Sequence, residues 1–368
     1  MLLMVTTFAF SPAVSAANFN VTRMDDPVPN GCATNNCSLR EAVLAANQAA
    51  GPDTISLTPG TYLVSLNGFD TDETGDLDIQ SDLTIRGPAT IDGQGQGRIF
   101  SIEDDSEVVF IELVLQNANT SLASNSALNG GAVEINGGRL TIRSGVFREN
   151  MAQTHGAAIY TTGGAALVVE NSVFFNNQSA NGAGIFANGD VTVRNSLFED
   201  NVGGLRAAAL YLAGTQSDVV LEHISLIDNE GADSAGGAVL FLGRDLLVHD
   251  LLAIGNKSLD GNGGVLATTG TAHNKNLRIS HAIFADNSAD NGGALYFADD
   301  DDPVEIVHSA FVNNSALRQA GAIYITGGPI DIANVTLSGN SAGTDGGGIH
   351  LFGGDMTLRH VTFTGGTA

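Results

Sequence analysis

Tryptophan is absent from this 368-residue chain, and basic side chains are scarce: 15 Lys and Arg stand against 40 Asp and Glu, a formal net charge of -25. A surface of that sign repels phosphate, which excludes charge-driven binding to nucleic acid or anionic lipid. It suits solubility in Ca²⁺-rich or saline water. There are only two cysteines, Cys32 and Cys37. A zinc site would need further Cys or His ligands close by, and none follow, so in an exported chain the pair is expected to form one small disulfide. After the first residues no run is long and apolar enough to span a membrane. Residues 1–16 are apolar and end on Val14-Ser15-Ala16, which reads as a secretory signal lacking its usual basic start.

Glycine, by contrast, is abundant, at 46 residues, and it recurs with a period. The segments GGAVEI (130–135), GAGIF (182–186), GGAVLF (236–241), GGALYF (292–297), GAIYI (321–325) and GGGIHL (346–351) are variants of one unit. A Phe-x-x-Asn follows at a similar offset, as in Phe147/Asn150, Phe174/Asn177, Phe198/Asn201, Phe284/Asn287 and Phe311/Asn314, while Asn229, Asn256 and Asn340 hold the Asn slot after a different residue. Seven and five residues before the Phe slot every unit carries an apolar pair, such as Leu140/Ile142, Val191/Val193 and Ile330/Ile332. Period-two apolar pairs are strands with one face buried, and no unit has room for a ten-residue helix. A repeat of this length that cannot bury its own apolar face must stack on its neighbours. The fold class is therefore all-β, a right-handed parallel β-helix of about 12 coils, with regular repeats from about residue 130. The eight asparagines are expected to form a structural ladder of coil-to-coil amides. Because Ala157-Ala158 and Ala207-Ala208-Ala209 occupy the Gly-Gly slot, small volume rather than positive φ reads as its requirement. Insertions fall at one corner: Gly214–Asp218, Gly270–Asn276 and Ala298–Pro303.

Ahead of the repeats, Ser38-Leu39-Arg40-Glu41 is a capping box opening a short helix, with Leu39, Ala42, Val43 and Ala46 as its apolar stripe. It is expected to cover the N-terminal end of the core. The organisation is thus a signal over 1–16, a segment with the capping helix over 17–53, and the solenoid over 54–368. The wording CSLREAVLAAN, followed by DTISLTPGTY, GDLDIQSDLTI and the IDG of Ile91–Gly93, resembles bacterial CSLREA-motif β-helix proteins over about residues 28–118. The later GGA[ILV] and FxxN units are similar to those of chlamydial polymorphic outer-membrane proteins and related pectin-lyase-like β-helices. The resemblance implies export, an extracellular or outer-membrane location and often adhesion. This sequence contains no autotransporter barrel or anchor, and it stops at Ala368 without a closing coil, which predicts a fragment of a longer protein.

A functional site is less plainly written. Lyase chemistry on such a fold needs an Arg or Lys base beside carboxylates, but Lys occurs only at 257 and 275, and Arg143 and Arg194 have Glu170 and Glu222 as neighbours. Hydrolases need paired carboxylates at a fixed gap, and no such set is recognisable. His223, His281, His308 and His360 share one slot three residues before the Phe position, a candidate metal pair where coils are adjacent. The same slot holds Ser144, Asn171, Asn195, Asp250 and Asn334, so it reads as a polar turn column and no metal site is assigned. Asp299–Asp302 is a candidate Ca²⁺ loop, and otherwise no cofactor is expected. The chosen candidate is the residue pointing outward from the GGxI strand, where Tyr160, Phe186, Tyr211, Tyr296 and Tyr324 form an aromatic column able to stack on a sugar or a flat partner face. The expectation is a secreted or cell-surface scaffold that binds a glycan or another cell's surface without catalysis. The alternative is a polysaccharide lyase or glycoside hydrolase of the same fold.

Overall fold

The computed structural model describes residues 16–66, 71, 73–103, 106–122, 128–233, 235–269, 276–298 and 303–368. Residues 1–15 of the signal stretch 1–16, residues 270–275 of the insertion Gly270–Asn276 and the candidate Ca²⁺ loop Asp299–Asp302 lie outside them. The chain winds as a parallel β-solenoid with three sheets running along its length, of 19, 11 and 7 strands. The 11-stranded sheet gains one strand per coil, giving about 11 turns, one fewer than the repeats suggest. One coil illustrates the path. Ile159–Thr162 belongs to the 11-stranded sheet, Ala166–Glu170 and Val173–Phe175 to the 19-stranded sheet, and Gln178–Asn181 to the 7-stranded sheet, before Ile185–Ala187 re-enters the 11-stranded one. Register is in phase from coil to coil: Leu167 and Val169 pair with Val191 and Val193, and Phe174 pairs with Phe198.

This register stacks like on like inside the tube. The apolar pairs merge into one core running the length of the molecule. Within it the rings of Phe147, Phe174 and Phe198 lie face to face, with centroids 4.9 and 4.5 Å apart, and Phe284 lies 4.6 Å from Phe311. Each of these phenylalanines is fully buried. Burying such a ring contributes about 1.5–3 kcal/mol, so the repeated Phe slot is a main source of cohesion.

Three corners of each coil are made by single left-handed residues. In one coil these are Asn171 (φ 53°), Asn176 (φ 51°) and Gly182 (φ 58°). Most non-glycine residues tolerate this conformation poorly, and Asn, Asp and His accept it best. This corrects the reading of the Gly-Gly slot. Its first position has positive φ at Gly130, Gly156, Gly182, Gly236, Gly263, Gly292 and Gly346, and even the alanines there, Ala207 (φ 30°) and Ala320 (φ 60°), adopt it. Volume matters at the next position, where a Cβ on Gly237 would meet the Gly264 carbonyl oxygen of the following coil. Conformation and space act together, one residue apart.

At the N-terminal end a ten-residue helix, Leu39–Gln48, packs its stripe of Leu39, Ala42, Val43 and Ala46 into the same core. Ser38 caps it, accepting from the Glu41 amide, while the Glu41 carboxylate accepts from the amides of Ser38 (2.8 Å) and Asn30 (2.9 Å). Arg40, 1% exposed, was not singled out from the sequence. Its guanidinium forms a two-pronged pair with buried Asp26 (2.8 and 2.9 Å) and donates to the carbonyls of Gly75 and Asp76. Asp26 in turn accepts from the amides of Ser65 and Leu66. The Cys32–Cys37 disulfide closes the loop before the helix. Every letter of Ser38-Leu39-Arg40-Glu41-Ala42 therefore has a structural task. A strand not foreseen in the sequence, Asn18–Asn20, pairs with Asp53–Ser56 and adds one rung at this end.

Candidate functional site along the 11-stranded sheet

The strands of the 11-stranded sheet are short, three or four residues, with their outer two residues turned into the core. The middle residue points the other way. In-register stacking turns these middle residues into one straight column: Asp78, Ser101, Glu134, Tyr160, Phe186, Tyr211, Leu240, Ala267, Tyr296, Tyr324 and His350. The five aromatic residues chosen from the sequence all lie in it. They do not form one free face, however. Tyr211 is 8% exposed, Leu240 1% and Ala267 0%. These three gather with Ala207 and Ala235 into a second, smaller apolar cluster outside the tube, against which Phe186 and Tyr296 pack. The column is thereby split into two half-buried aromatic stretches with a closed middle.

The rings also contact one another. Tyr296, Tyr324 and His350 stack nearly parallel at 5.1 and 5.2 Å. In the other stretch Phe186 meets Tyr211 edge-on at 4.7 Å and Tyr160 at 5.4 Å. His155 packs on this stretch, 4.4 Å from the Phe186 ring, and its Nδ1 lies 2.9 Å from Asn129 Oδ1. Burial depresses the His155 pKa and favours a neutral ring. On the far side Arg206 donates to the Tyr211 hydroxyl at 3.1 Å.

Above Tyr160 the column turns acidic. Arg98, nearly buried, ties this end together: it pairs with Asp76 (2.8 Å) and with Glu134, and it donates to the carbonyls of Gly130 and Asn129. Burial pushes the Glu134 carboxyl above its usual range, Arg98 pulls it back, and Asp76 and Glu103 add to the rise. Arg98 is thus held by two carboxylates and two carbonyls, an arrangement that spends its donors on bracing coils. Sequence reading missed it because Asp76, Arg98 and Glu134 are far apart in the chain and belong to the less regular N-terminal coils. Together the upper half of the column offers aromatic faces flanked by an acid, an imidazole, an amide and an exposed guanidinium. That is a surface suited to hydroxyl-rich or planar ligands.

The histidine slot lies elsewhere, at the corner within the 19-stranded sheet. His223, His281, His308 and His360 have φ of 53°, 55°, 50° and 51°, and Asp250, Asn171, Asn195 and Asn334 share that conformation. The left-handed corner accounts for the polar, Asn-like content of the slot. It does not account for His249, one residue before Asp250, which the slot reading did not include.

The asparagine slot forms a continuous buried ladder. Asn150, Asn177, Asn201, Asn229, Asn256, Asn287 and Asn314 each donate from Nδ2 to the Oδ1 of the next, ending on Asn340, at 2.9 to 3.0 Å.

Comparison with known proteins gives the same architecture. A family model described as right handed beta helix region matches residues 130–367. No curated protein matches the sequence. Among solved structures, the A-module of the mannuronan C-5 epimerase AlgE6 from Azotobacter vinelandii is similar, with 18% identity and a TM-score of 0.48 over 94% of this chain and 99% of that one.

Proposed function

Since the chain belongs to the right-handed β-helix family, we propose that it serves as an exported scaffold that binds a glycan or the surface of a partner cell without acting on it chemically. The observation that carries this reading is the upper half of the column, where Tyr160 and Phe186 sit half-exposed in register between His155 and Glu134. Aromatic faces beside hydrogen-bonding side chains fit the alternating apolar and hydroxyl surfaces of sugars. The acidic surface favours neutral or basic ligands over polyanions. Export and placement at the cell surface belong to the same proposal and rest on the apolar start and on the disulfide, which persists in oxidising surroundings.

The test is a glycan-array and cell-binding screen of the secreted protein, repeated with the Tyr160→Ser, Phe186→Ser double variant. Tyr211 is left intact because it belongs to the second apolar cluster. Binding should fall by roughly tenfold or more, about 1.4 kcal/mol, with the thermal midpoint little changed. Undiminished binding by the double variant would remove the column from the site. Unsaturated ends or reducing sugars released from polyuronates by the wild-type protein would overturn the non-catalytic reading.

A further inference from the structure

The corner of the 19-stranded sheet carries imidazoles on four successive coils. Ring centroids of His223 and His249 are 5.9 Å apart, those of His249 and His281 5.0 Å, and those of His281 and His308 5.1 Å. Asp250 lies among them, its Oδ2 3.0 Å from His223 Nε2 and 3.7 Å from His249 Nε2. His249, Asp250 and His281 each offer a donor atom, and these atoms all lie within 4.8 Å of one another, the one such trio among the described residues. We propose that His249, Asp250 and His281 form a binding site for a divalent transition-metal ion of the Zn²⁺ class.

Three observations carry this. The first is that the residues come together for different backbone reasons. Asp250 and His281 occupy the left-handed corner position on consecutive coils, whereas His249 sits in the strand before the corner, paired in register with Glu222 and Ser280. The left-handed requirement that explains a polar corner does not ask for an imidazole at 249.

The second is that the His249 ring is oriented. Its Nδ1 lies 3.0 Å from Ser280 Oγ, and that hydroxyl donates to the Val248 carbonyl. With the hydroxyl donating to that carbonyl, it accepts from a protonated Nδ1, the tautomer that leaves Nε2, 3.7 Å from Asp250 Oδ2, as the ligand atom for an ion. A ligating histidine held through its other nitrogen is the usual support for a metal site. His223 Nε2, 3.0 Å from Asp250 Oδ2, positions that carboxylate.

The third is chemistry and reach. Two imidazoles and one carboxylate suit Zn²⁺, Ni²⁺ or Cu²⁺ rather than Ca²⁺, which takes oxygen ligands. Zinc-to-nitrogen bonds of about 2.0–2.1 Å put tetrahedral ligands roughly 3.3 Å apart, so the set must close by about 1.5 Å. These side chains are partly exposed and can close by rotation, with water completing the shell.

The test uses the whole chain. Isothermal titration with Zn²⁺ should show one site per chain, retained in an excess of Ca²⁺. His249→Thr keeps a strand-forming residue, and His281→Asn keeps one that accepts the left-handed corner. Each should weaken binding by roughly tenfold or more, with unchanged far-UV dichroism. His308→Asn should retain binding. Absence of Zn²⁺ binding, or full binding by the His249→Thr, His281→Asn double variant, overturns the assignment. So does a site lost with His308→Asn but not with His249→Thr, because that result places the ion between His281 and His308. Should either variant misfold, long-range ¹H–¹⁵N spectra of the wild type decide. Zn²⁺ must move the ring-nitrogen resonances of two or three of the eight histidines. If none shifts, the proposal fails.

Discussion

Replacing Asn201 with Ala removes one rung from the middle of the ladder. The Asn201 amide uses all of its bonding capacity. It donates to Asn229 Oδ1 (2.9 Å) and to the Phe174 carbonyl (3.0 Å), and it accepts from the Asn177 side chain (2.9 Å) and the Asn177 backbone amide (3.1 Å). Asn229 Oδ1 keeps a partner after the change, because the backbone amide of residue 201 still donates to it. Both donors on Asn177 lose theirs, in a region where Asn177 is 0% exposed. At about 1–3 kcal/mol per orphaned buried group, two donors cost roughly 2–6 kcal/mol. Water entering the vacated space would offset part of this, so about 3 kcal/mol is expected. Asn150 provides the comparison. Its Oδ1 accepts only from the Ala118 amide (3.1 Å), so Asn150→Ala strands one donor and should cost about half as much. With tryptophan absent, the assay is urea unfolding followed by far-UV dichroism, with hydrogen exchange at the Asn177 amide as the local probe. Equal midpoints for Asn201→Ala and wild type, with the Asn177 amide still protected, would refute the reasoning. Equal losses for the two variants would refute the count of donors.

Further outcomes follow from other parts of the molecule. Arg40→Ala leaves Asp26 charged, buried and without its cation, and should destabilise the N-terminal coils by about 3–5 kcal/mol; wild-type stability in urea would contradict the buried pair. Reducing the Cys32–Cys37 bond opens a short loop and should lower stability by about 2 kcal/mol, seen as an earlier melt with dithiothreitol that a Cys32→Ser, Cys37→Ser variant no longer shows. His155 gives a pH dependence. Its pKa is lowered in the folded state by burial, so between that value and the unfolded pKa of about 6.5 the unfolded chain holds more protons. Its contribution is present above about pH 6.5 and is lost as pH falls toward the folded pKa. Glu134, whose pKa is raised, acts with the opposite sign: its contribution is present below the unfolded carboxylate pKa and is lost as pH rises through the folded one. His155→Gln should flatten the stability profile just below pH 6.5; an unchanged slope would exclude His155 as its source.

The parts of the fold that repeat were legible in the sequence. Apolar pairs at period two are stated nine times, the Asn slot eight times, and Phe fills most copies of its slot, and each copy must satisfy the same stacked environment. The N-terminal coils are less regular, so Asp76, Arg98 and Glu134 carry no periodic mark, and their meeting is visible only in space. The Arg40–Asp26 pair escaped for the same reason, since its partners lie 14 residues apart across a disulfide loop. The outward column was correctly placed by alternation, but alternation says only that a side chain leaves the tube. It does not say whether other side chains cover it, as they do around Leu240. The glycine slot was misread because alanine appeared in it. Composition alone does not distinguish a tolerated left-handed alanine such as Ala320 from a position with no conformational demand. His249 was passed over because it stands one residue outside the slot under comparison.

The amide ladder also has a polarity. From Asn150 to Asn314 every amide-to-amide bond points toward the C-terminal coils, so these bonds line up head to tail, as peptide units do along a helix. At one end Asn150 presents its oxygen, which is satisfied by the Ala118 amide. At the other, Asn340 accepts from Asn314 and donates to the Phe311 carbonyl, and Gly366 stands where the next amide would be. A coil inserted between Asn150 and Asn340 would therefore extend the ladder only if it entered in the same direction. Two such solenoids joined tail to tail would set donor against donor at the seam. Growth of this architecture is vectorial, and the side chains enforce it as strictly as the parallel strands do.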